Sequence, residues 1–240
     1  YLTEMTDILL DNKGTLDKYI GDAIVAFYGA PAPVDDHEYW ACLTAIKMQD
    51  RLAELREKWQ GEGDRWPEIV HNMQNRIGIN TGQMVTGNMG STMRMNYTMM
   101  GDTVNLAARL EASAKQYGVY IQVAEETYQN CKDQFIWRDL DYVIVMGKSE
   151  PAQVFELISE VGNIPPGYDK LLPAYEEALN LYRGQKWEQA IEAFKASDEF
   201  EDMFGGRKTN PSRIYIPRCE HYRDNPPGDD WDGSWALTKK

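Results

Sequence analysis

Residues 17–31 read DKYIGDAIVAFYGAP, and this stretch decides the expected fold because β-favouring residues lie on both sides of a tight turn. One run extends from Thr15 to Tyr19 and the other from Ala23 to Phe27, and the Gly-Asp dipeptide between them is common in turns. The pattern predicts a β-hairpin with Lys18 and Asp22 at its tip.

A second stretch, YTMMGDTVNLAARLE at residues 97–111, predicts a strand that leads into a helix. The strand is expected from Met93 to Met100 and the helix from Thr103 to about Tyr117. Asn105 and Arg109 are four positions apart, so a helix places them on one face, where both can contact one ligand.

Strand-like and helix-like runs alternate around these two stretches. A long amphipathic helix is expected after the Pro31-Ala32-Pro33 breaker, ending near Gly61, and further short runs continue to residue 157. Strands separated by helices, with hairpins between some of them, predict an α+β sandwich of mixed sheet and helices.

The last third of the chain is predicted to contain three segments of different character. Residues 161–168 are typical of a linker because they include a Pro-Pro pair. Residues 169–204 predict a helical hairpin that resembles one tetratricopeptide-type unit, which we expect to pack against the main domain or a partner chain because one unit cannot bury its own face. Residues 205–240, rich in Pro, Asp, Gly and Trp, predict an irregular tail.

Composition narrows the classes of function. The 240 residues carry 25 Lys and Arg against 38 Asp and Glu, and the net charge of −13 argues against nucleic acid or an acidic membrane as the main partner. The three cysteines are widely spaced, which indicates no disulfide framework and favours a reducing, cytoplasmic setting. The chain begins at Tyr1 in the middle of a helical pattern, so we interpret it as a fragment of a longer protein.

A third stretch, GINTGQMVTGNMGS at residues 78–91, makes the combination specific. Together the stretches resemble the catalytic domain of the class III nucleotidyl cyclases over roughly residues 1–158, and we assign residues 1–160 to such a domain, N-terminally truncated. The resemblance implies a ferredoxin-like α+β fold and a head-to-tail homodimer that converts ATP to cyclic AMP and pyrophosphate. It also implies two divalent cations, Mg²⁺ or Mn²⁺, as cofactors.

Five residues match positions that carry the chemistry in this family. Asp22 matches one of the two aspartates that hold the cations. Lys18 and Thr98 match the pair that reads the purine, and an ammonium donor beside a hydroxyl acceptor suits adenine. Asn105 resembles the residue that positions the ribose, and Arg109 the one that contacts phosphate in the transition state. The resemblance implies that each site takes Asp22 from one subunit and the other four residues from the second.

The sequence departs from the family pattern at two places. The aspartate that binds the first cation precedes the hairpin in the family, in a region that the chain lacks, so we expect the chain as given to be inactive. Met146 stands where relatives often carry a lysine for the terminal phosphates, and Lys148, two residues on, is a candidate phosphate contact.

Thr98 also resembles a bacterial subgroup that includes bicarbonate-stimulated enzymes, so activation by bicarbonate is a hypothesis. An upstream sensor domain is expected in the parent protein.

Three alternatives stay open from the sequence. A non-catalytic cyclase-homology module for dimerisation or regulation would fit the missing aspartate and Met146. A guanylate cyclase would require a different purine-reading pair, typically Glu and Cys, in place of Lys18 and Thr98. A protein-binding appendage is the third, with its docking surface formed by Trp187, Phe194, Trp231 and Trp235.

Overall fold

The computed structural model describes residues 1–144, 151–201 and 207–235. The helices in chain order are α1 (Leu2–Asp11), α2 (His37–Gly61), α3 (Glu68–His71), α4 (Asp102–Tyr117), α5 (Glu125–Cys131), α6 (Tyr168–Arg183), α7 (Trp187–Glu201) and α8 (Pro211–Asp224). The strands are β1 (Thr15–Ile20), β2 (Ala23–Phe27), β3 (Ile77–Ile79), β4 (Val85–Ser91), β5 (Arg94–Met100), β6 (Ile121–Ala124), β7 (Phe135–Ile144) and β8 (Pro151–Glu160).

A four-stranded mixed sheet in the order β3-β6-β8-β7 forms the centre of the first 160 residues. β3 and β6 are parallel, whereas β8 is antiparallel to both β6 and β7. All of β6 is buried, because Ile121 and Val123 pack in one cluster with α2 and Ala124 packs in another with α4. The mixed sheet with helices packed on it confirms the predicted α+β class.

Two β-hairpins lie outside this sheet, and they contain the sequence stretches that decided the prediction. β1 pairs with β2 and β4 pairs with β5, both in antiparallel register. The rings of Phe27 and Tyr97, with centroids 6.1 Å apart, connect the two hairpins. The predicted hairpin at Thr15 to Phe27 is therefore confirmed, and its neighbour is the strand that carries Thr98. The placement of Lys18 at the tip was wrong, because Lys18 lies within β1 opposite Val25 and only Asp22 is in the turn.

The C-terminal region contains more helix than the sequence predicted. α6 and α7 form the expected helical hairpin, although α6 begins one residue earlier than predicted, at Tyr168. The tail predicted as irregular contains α8. Its start is fixed by Asn210, whose side chain accepts from the backbone N–H of Arg213 at 2.8 Å, and by Pro211 in the first turn. Tyr215 and Cys219, four residues apart, bury its inner face.

The aromatic residues suggested as a docking surface form a core instead. Phe194 is fully buried in the cluster made by α6, α7 and α8, and Trp187 and Trp231 pack against that cluster. The Trp187 and Trp231 rings lie 5.5 Å apart, and the ring of Trp235 lies 5.2 Å from that of Tyr222. The structure therefore favours the packing role for this part of the chain.

Strand β7 bonds to all three C-terminal helices through four consecutive residues. Arg138 forms an ion pair with Glu201 of α7, and Arg183 of α6 donates twice to the Asp139 carboxylate. The next two positions bond to α8, with Tyr215 donating to the Leu140 carbonyl and Arg218 donating to the Asp141 carboxylate. The helices thus cover an edge strand of the sheet and satisfy its charged groups.

Arg138 is the most deeply buried of these charges. Its side chain is 0% exposed, and it pairs with Glu156 on the neighbouring strand as well as with Glu201. Burial alone would lower the pKa of the guanidinium, but the negative charges of the two glutamates raise it, so Arg138 stays charged. Among the residues that the structure describes, no helix is long and apolar enough to cross a membrane.

Candidate active site

Lys18 on β1 and Thr98 on β5 lie side by side although they are 80 positions apart in sequence. The ammonium nitrogen Nζ of Lys18 donates to Oγ1 of Thr98 at 3.2 Å. This contact follows from the packing of β1 against β5. The Lys18 side chain is 47% exposed, and an ammonium has three N–H donors, so donors remain for a ligand. The fold thus brings together the two residues that the sequence paired as purine readers.

A third residue, Asp17, takes part in the same contact, and the sequence reasoning missed it. Thr98 Oγ1 donates to Asp17 Oδ2 at 2.8 Å, and Lys18 Nζ lies 3.5 Å from the same carboxylate oxygen. Strand alternation would place Asp17 and Lys18 on opposite faces. The register of β1 shifts between Leu16 and Lys18, which makes Asp17 the extra residue of a β-bulge and lets both side chains reach Thr98.

Asp22 lies exposed in the tight turn between β1 and β2, as the hairpin prediction requires. Within residues 1–144, 151–201 and 207–235, no group of three or more His, Cys, Asp or Glu side chains is placed to hold a metal ion. Protein-bound Mg²⁺ commonly uses one or two carboxylates together with waters and substrate phosphates. One exposed carboxylate such as that of Asp22 is compatible with this kind of ligand set, and the described residues do not complete a closed metal site.

Asn105 and Arg109 lie one turn apart on the exposed face of α4, as their spacing predicts. The opposite face of the helix is buried through Leu106 and Leu110, which pack in a cluster with the sheet. This packing fixes the rotation of α4 about its axis, so that Asn105 and Arg109 face away from the core.

Short polar contacts fix the point at which α4 begins. The Asn80 side chain donates to the backbone carbonyl of Thr103 at 2.9 Å, and the Thr103 hydroxyl donates to the carbonyl of Gln83 at 3.0 Å. Gly101 makes the turn from β5 into the helix with φ of 152°, a value that L residues with a side chain rarely adopt. The loop after β3 therefore holds the first turn of α4 and positions Asn105 relative to β5.

The remaining candidate, Lys148, lies outside the described residues, as does Met146.

The two hairpins also carry exposed apolar side chains, which we call the hairpin surface. Met93, at the tip of the β4-β5 hairpin, is 92% exposed. The other members are Tyr19, Ile20, Val85, Met95 and Met100. Exposed large apolar side chains of this kind are found at protein interaction sites.

Comparison with known proteins agrees with this architecture. The model of the adenylate and guanylate cyclase catalytic domain matches residues 2–158. The chain is 32% identical over 223 residues to the terminal-differentiation specific adenylate cyclase of Dictyostelium discoideum, a match that covers 91% of this chain and 10% of the relative. The crystal structure of the adenylyl cyclase CyaB from P. aeruginosa is 33% identical with a TM-score of 0.59, covering 69% of this chain and 82% of that one. The guanylyl cyclase Cya2 is 29% identical with a TM-score of 0.55, covering 68% and 78%.

The fold, the placement of the matched residues and these similarities define one class of protein. The chain belongs to the adenylate and guanylate cyclase family, whose catalytic domain it carries at residues 2–158. It spans 10% of the length of the curated Dictyostelium relative, and that match continues past residue 158 into the C-terminal helices.

Proposed function

We propose that the chain is the catalytic domain of an adenylate cyclase, which forms 3′,5′-cyclic AMP and pyrophosphate from ATP. The single observation that carries this proposal is the contact between Lys18 and Thr98, 3.2 Å apart, in a chain of the cyclase family.

The chemistry of this pair favours adenine. The edge of adenine offers an amino donor next to a ring-nitrogen acceptor, so the Thr98 oxygen can accept from the first while the Lys18 ammonium donates to the second. Guanine presents an oxygen acceptor and an N–H donor at the same two positions. Guanine would therefore place its oxygen acceptor opposite the accepting Thr98 oxygen, and its N–H donor opposite the donating Lys18 ammonium.

Cyclisation forms a bond between the ribose 3′-oxygen and the α-phosphorus, releases pyrophosphate and frees the hydroxyl proton. The site must hold the ribose in line and stabilise the negative charge that spreads over the phosphates. In our proposal Asn105 positions the ribose, and Arg109 and Lys148 contact phosphate. Asp22 is a ligand of one of two divalent cations, Mg²⁺ or Mn²⁺, which would favour loss of the hydroxyl proton and neutralise phosphate charge.

The working form in this proposal is a homodimer with shared sites. The hairpin surface supports it, because exposed apolar side chains such as Met93 and Met100 gain from burial against a second copy. Each site would combine Asp22 of one copy with Lys18, Thr98 and the α4 residues of the other.

Two rival functions lead to different expectations. A guanylate cyclase is favoured by the similarity to Cya2, but the residues at the purine-reading positions are Lys18 and Thr98 rather than Glu and Cys. A non-catalytic regulatory module does not require a purine-binding pair, whereas this chain has Lys18 hydrogen-bonded to Thr98. Both observations support the adenylate cyclase.

The purine preference provides the direct test. The gene product that contains this chain should turn over ATP with kcat/KM at least about tenfold above that for GTP, because guanine mismatches two hydrogen bonds, each at a cost of about 1–3 kcal/mol. Competition between the two nucleotides, with both cyclic products measured, checks this. Preferential conversion of GTP would contradict the proposal.

Activation by bicarbonate is a separate proposal, based on the resemblance carried by Thr98. Bicarbonate should raise the rate of cyclic AMP formation at constant pH and ionic strength, whereas an equal concentration of chloride should not. Equal rates of cyclic AMP formation with the two salts would show that bicarbonate is not an activator.

The domain context and cellular location of the parent protein are separate proposals. An upstream sensor domain and a cytoplasmic catalytic part follow from the resemblance and the cysteine usage. The full sequence of the gene tests the first point, and fractionation of cells that express the gene product tests the second.

A further inference from the structure

We infer that Asp17 is a positioning residue that sets the purine preference by holding the proton of the Thr98 hydroxyl. The inference rests on the proposed function, since it names the residue that makes Thr98 an acceptor. Asp17 reaches Thr98 because of the β-bulge, which turns its side chain to the same side as that of Lys18.

Among the described residues, Thr98 Oγ1 has two side-chain hydrogen-bond partners. A hydroxyl has one proton to donate and two lone pairs that accept. The proton is donated to Asp17 Oδ2 at 2.8 Å, and one lone pair accepts from Lys18 Nζ at 3.2 Å. What remains on Thr98 is a single lone pair, so the side chain can only accept from a ligand. The amino group of adenine fits this site, and the O6 oxygen of guanine does not.

The burial of Asp17 supports a role in the site rather than a general structural one. Its side chain is 2% exposed, and its second oxygen, Oδ1, is buried without a hydrogen-bond partner among the described residues. A buried carboxylate with one unsatisfied oxygen is unfavourable, and an apolar residue of similar size would fill the same space without that cost. Among the described residues, the polar contacts of its side chain are to Thr98 and Lys18, the two residues proposed to read the purine.

Removal of the Asp17 carboxylate should let the Thr98 hydroxyl form a hydrogen bond with either adenine or guanine. Without an acceptor at Asp17, the hydroxyl can rotate and donate its proton to the O6 oxygen of guanine. The lysine also loses the negative charge that lies 3.5 Å from Nζ, which frees it to reorient. The expected result is a loss of selectivity that exceeds any loss of turnover.

The test uses the gene product that contains this chain and compares kcat/KM for ATP and GTP. Asp17→Leu removes the acceptor while keeping a side chain that branches at the same atom, and Asp17→Asn keeps an acceptor oxygen. We expect the ATP to GTP ratio to fall about tenfold or more in Asp17→Leu and to be largely retained in Asp17→Asn. In a Thr98→Val background, Asp17→Leu should change the ratio much less than in the wild type, because the hydroxyl that it orients is gone and only its contact with Lys18 remains.

The controls separate this inference from the proposed function. Asp7→Asn changes an exposed acid on α1 and should leave the ratio at its wild-type value. Equal losses for ATP and GTP in a folded Asp17→Leu protein would mean a structural role and would overturn the inference alone. A wild-type preference for GTP would overturn both. Asp17→Ala replaces the leucine variant if the latter does not fold.

Discussion

In the gene product that contains this chain, replacement of Asp22 by alanine is expected to lower cyclic AMP formation by at least about a hundredfold, because a catalytic cation contributes several kcal/mol of charge stabilisation in the transition state. The side chain is exposed in a hairpin turn, so its loss should leave the fold unchanged. The rate with Mn²⁺, measured beside circular dichroism of the same preparation, checks the prediction. Activity within a factor of about three of wild type would exclude Asp22 as a cation ligand.

A mixing experiment tests whether two copies share the site. Asp22→Ala and Arg109→Ala should each be inactive alone, since each removes one element from both sites of a homodimer. When the two variants are mixed in equal amounts and allowed to exchange, half of the dimers are mixed and each carries one intact site, so about a quarter of the wild-type activity should return. If no activity returns although mixed dimers form, the two residues belong to the same copy.

Arg138→Ala is expected to produce the largest loss of stability, about 3–5 kcal/mol, because it leaves the carboxylates of Glu156 and Glu201 buried without their main cation. The loss should be global, since Glu201 belongs to α7 and Glu156 to the central sheet. Urea denaturation followed by circular dichroism measures the free energy of unfolding. For the same reason, deletion of residues 163–240 should give an insoluble or unfolded product rather than a free catalytic domain.

An exposed ion pair provides the matched control for Arg138. Arg51 pairs with Glu4 at 3.0 Å, and both side chains are well exposed, at 38% and 42%. Arg51→Ala should therefore change the free energy of unfolding by less than about 1 kcal/mol. A similarly small effect of Arg138→Ala, or a stable and soluble product of the deletion, would show that the C-terminal helices are an independent appendage.

The elements that the sequence predicted well are those specified by local patterns. The first hairpin depends on β-favouring residues around a Gly-Asp turn, and α4 depends on apolar positions such as Leu106 and Leu110 at helical spacing. The meeting of Lys18 and Thr98 was predicted by the family resemblance, and no local pattern could have predicted it. Their contact depends on the packing of two hairpins that are distant in sequence.

Asp17 and α8 were missed for different physical reasons. Alternation along β1 predicts that Asp17 points away from Lys18, and the bulge that reverses this has no glycine or other marker in the sequence. In α8, Pro217 and the nearby Pro and Gly residues argued for irregular backbone, while the decisive stabilisation came from tertiary contacts. Tyr215 and Arg218 bond to β7, more than 70 positions away, and such partners are not visible locally.

The measurement that tests the central claim most directly is product formation by the gene product that contains this chain, incubated with ATP and Mn²⁺ and analysed by mass spectrometry. We predict cyclic AMP and pyrophosphate in equal amounts, with no product after chelation of the metal. A folded dimer that binds ATP but forms no cyclic AMP would contradict the account and would indicate a regulatory module.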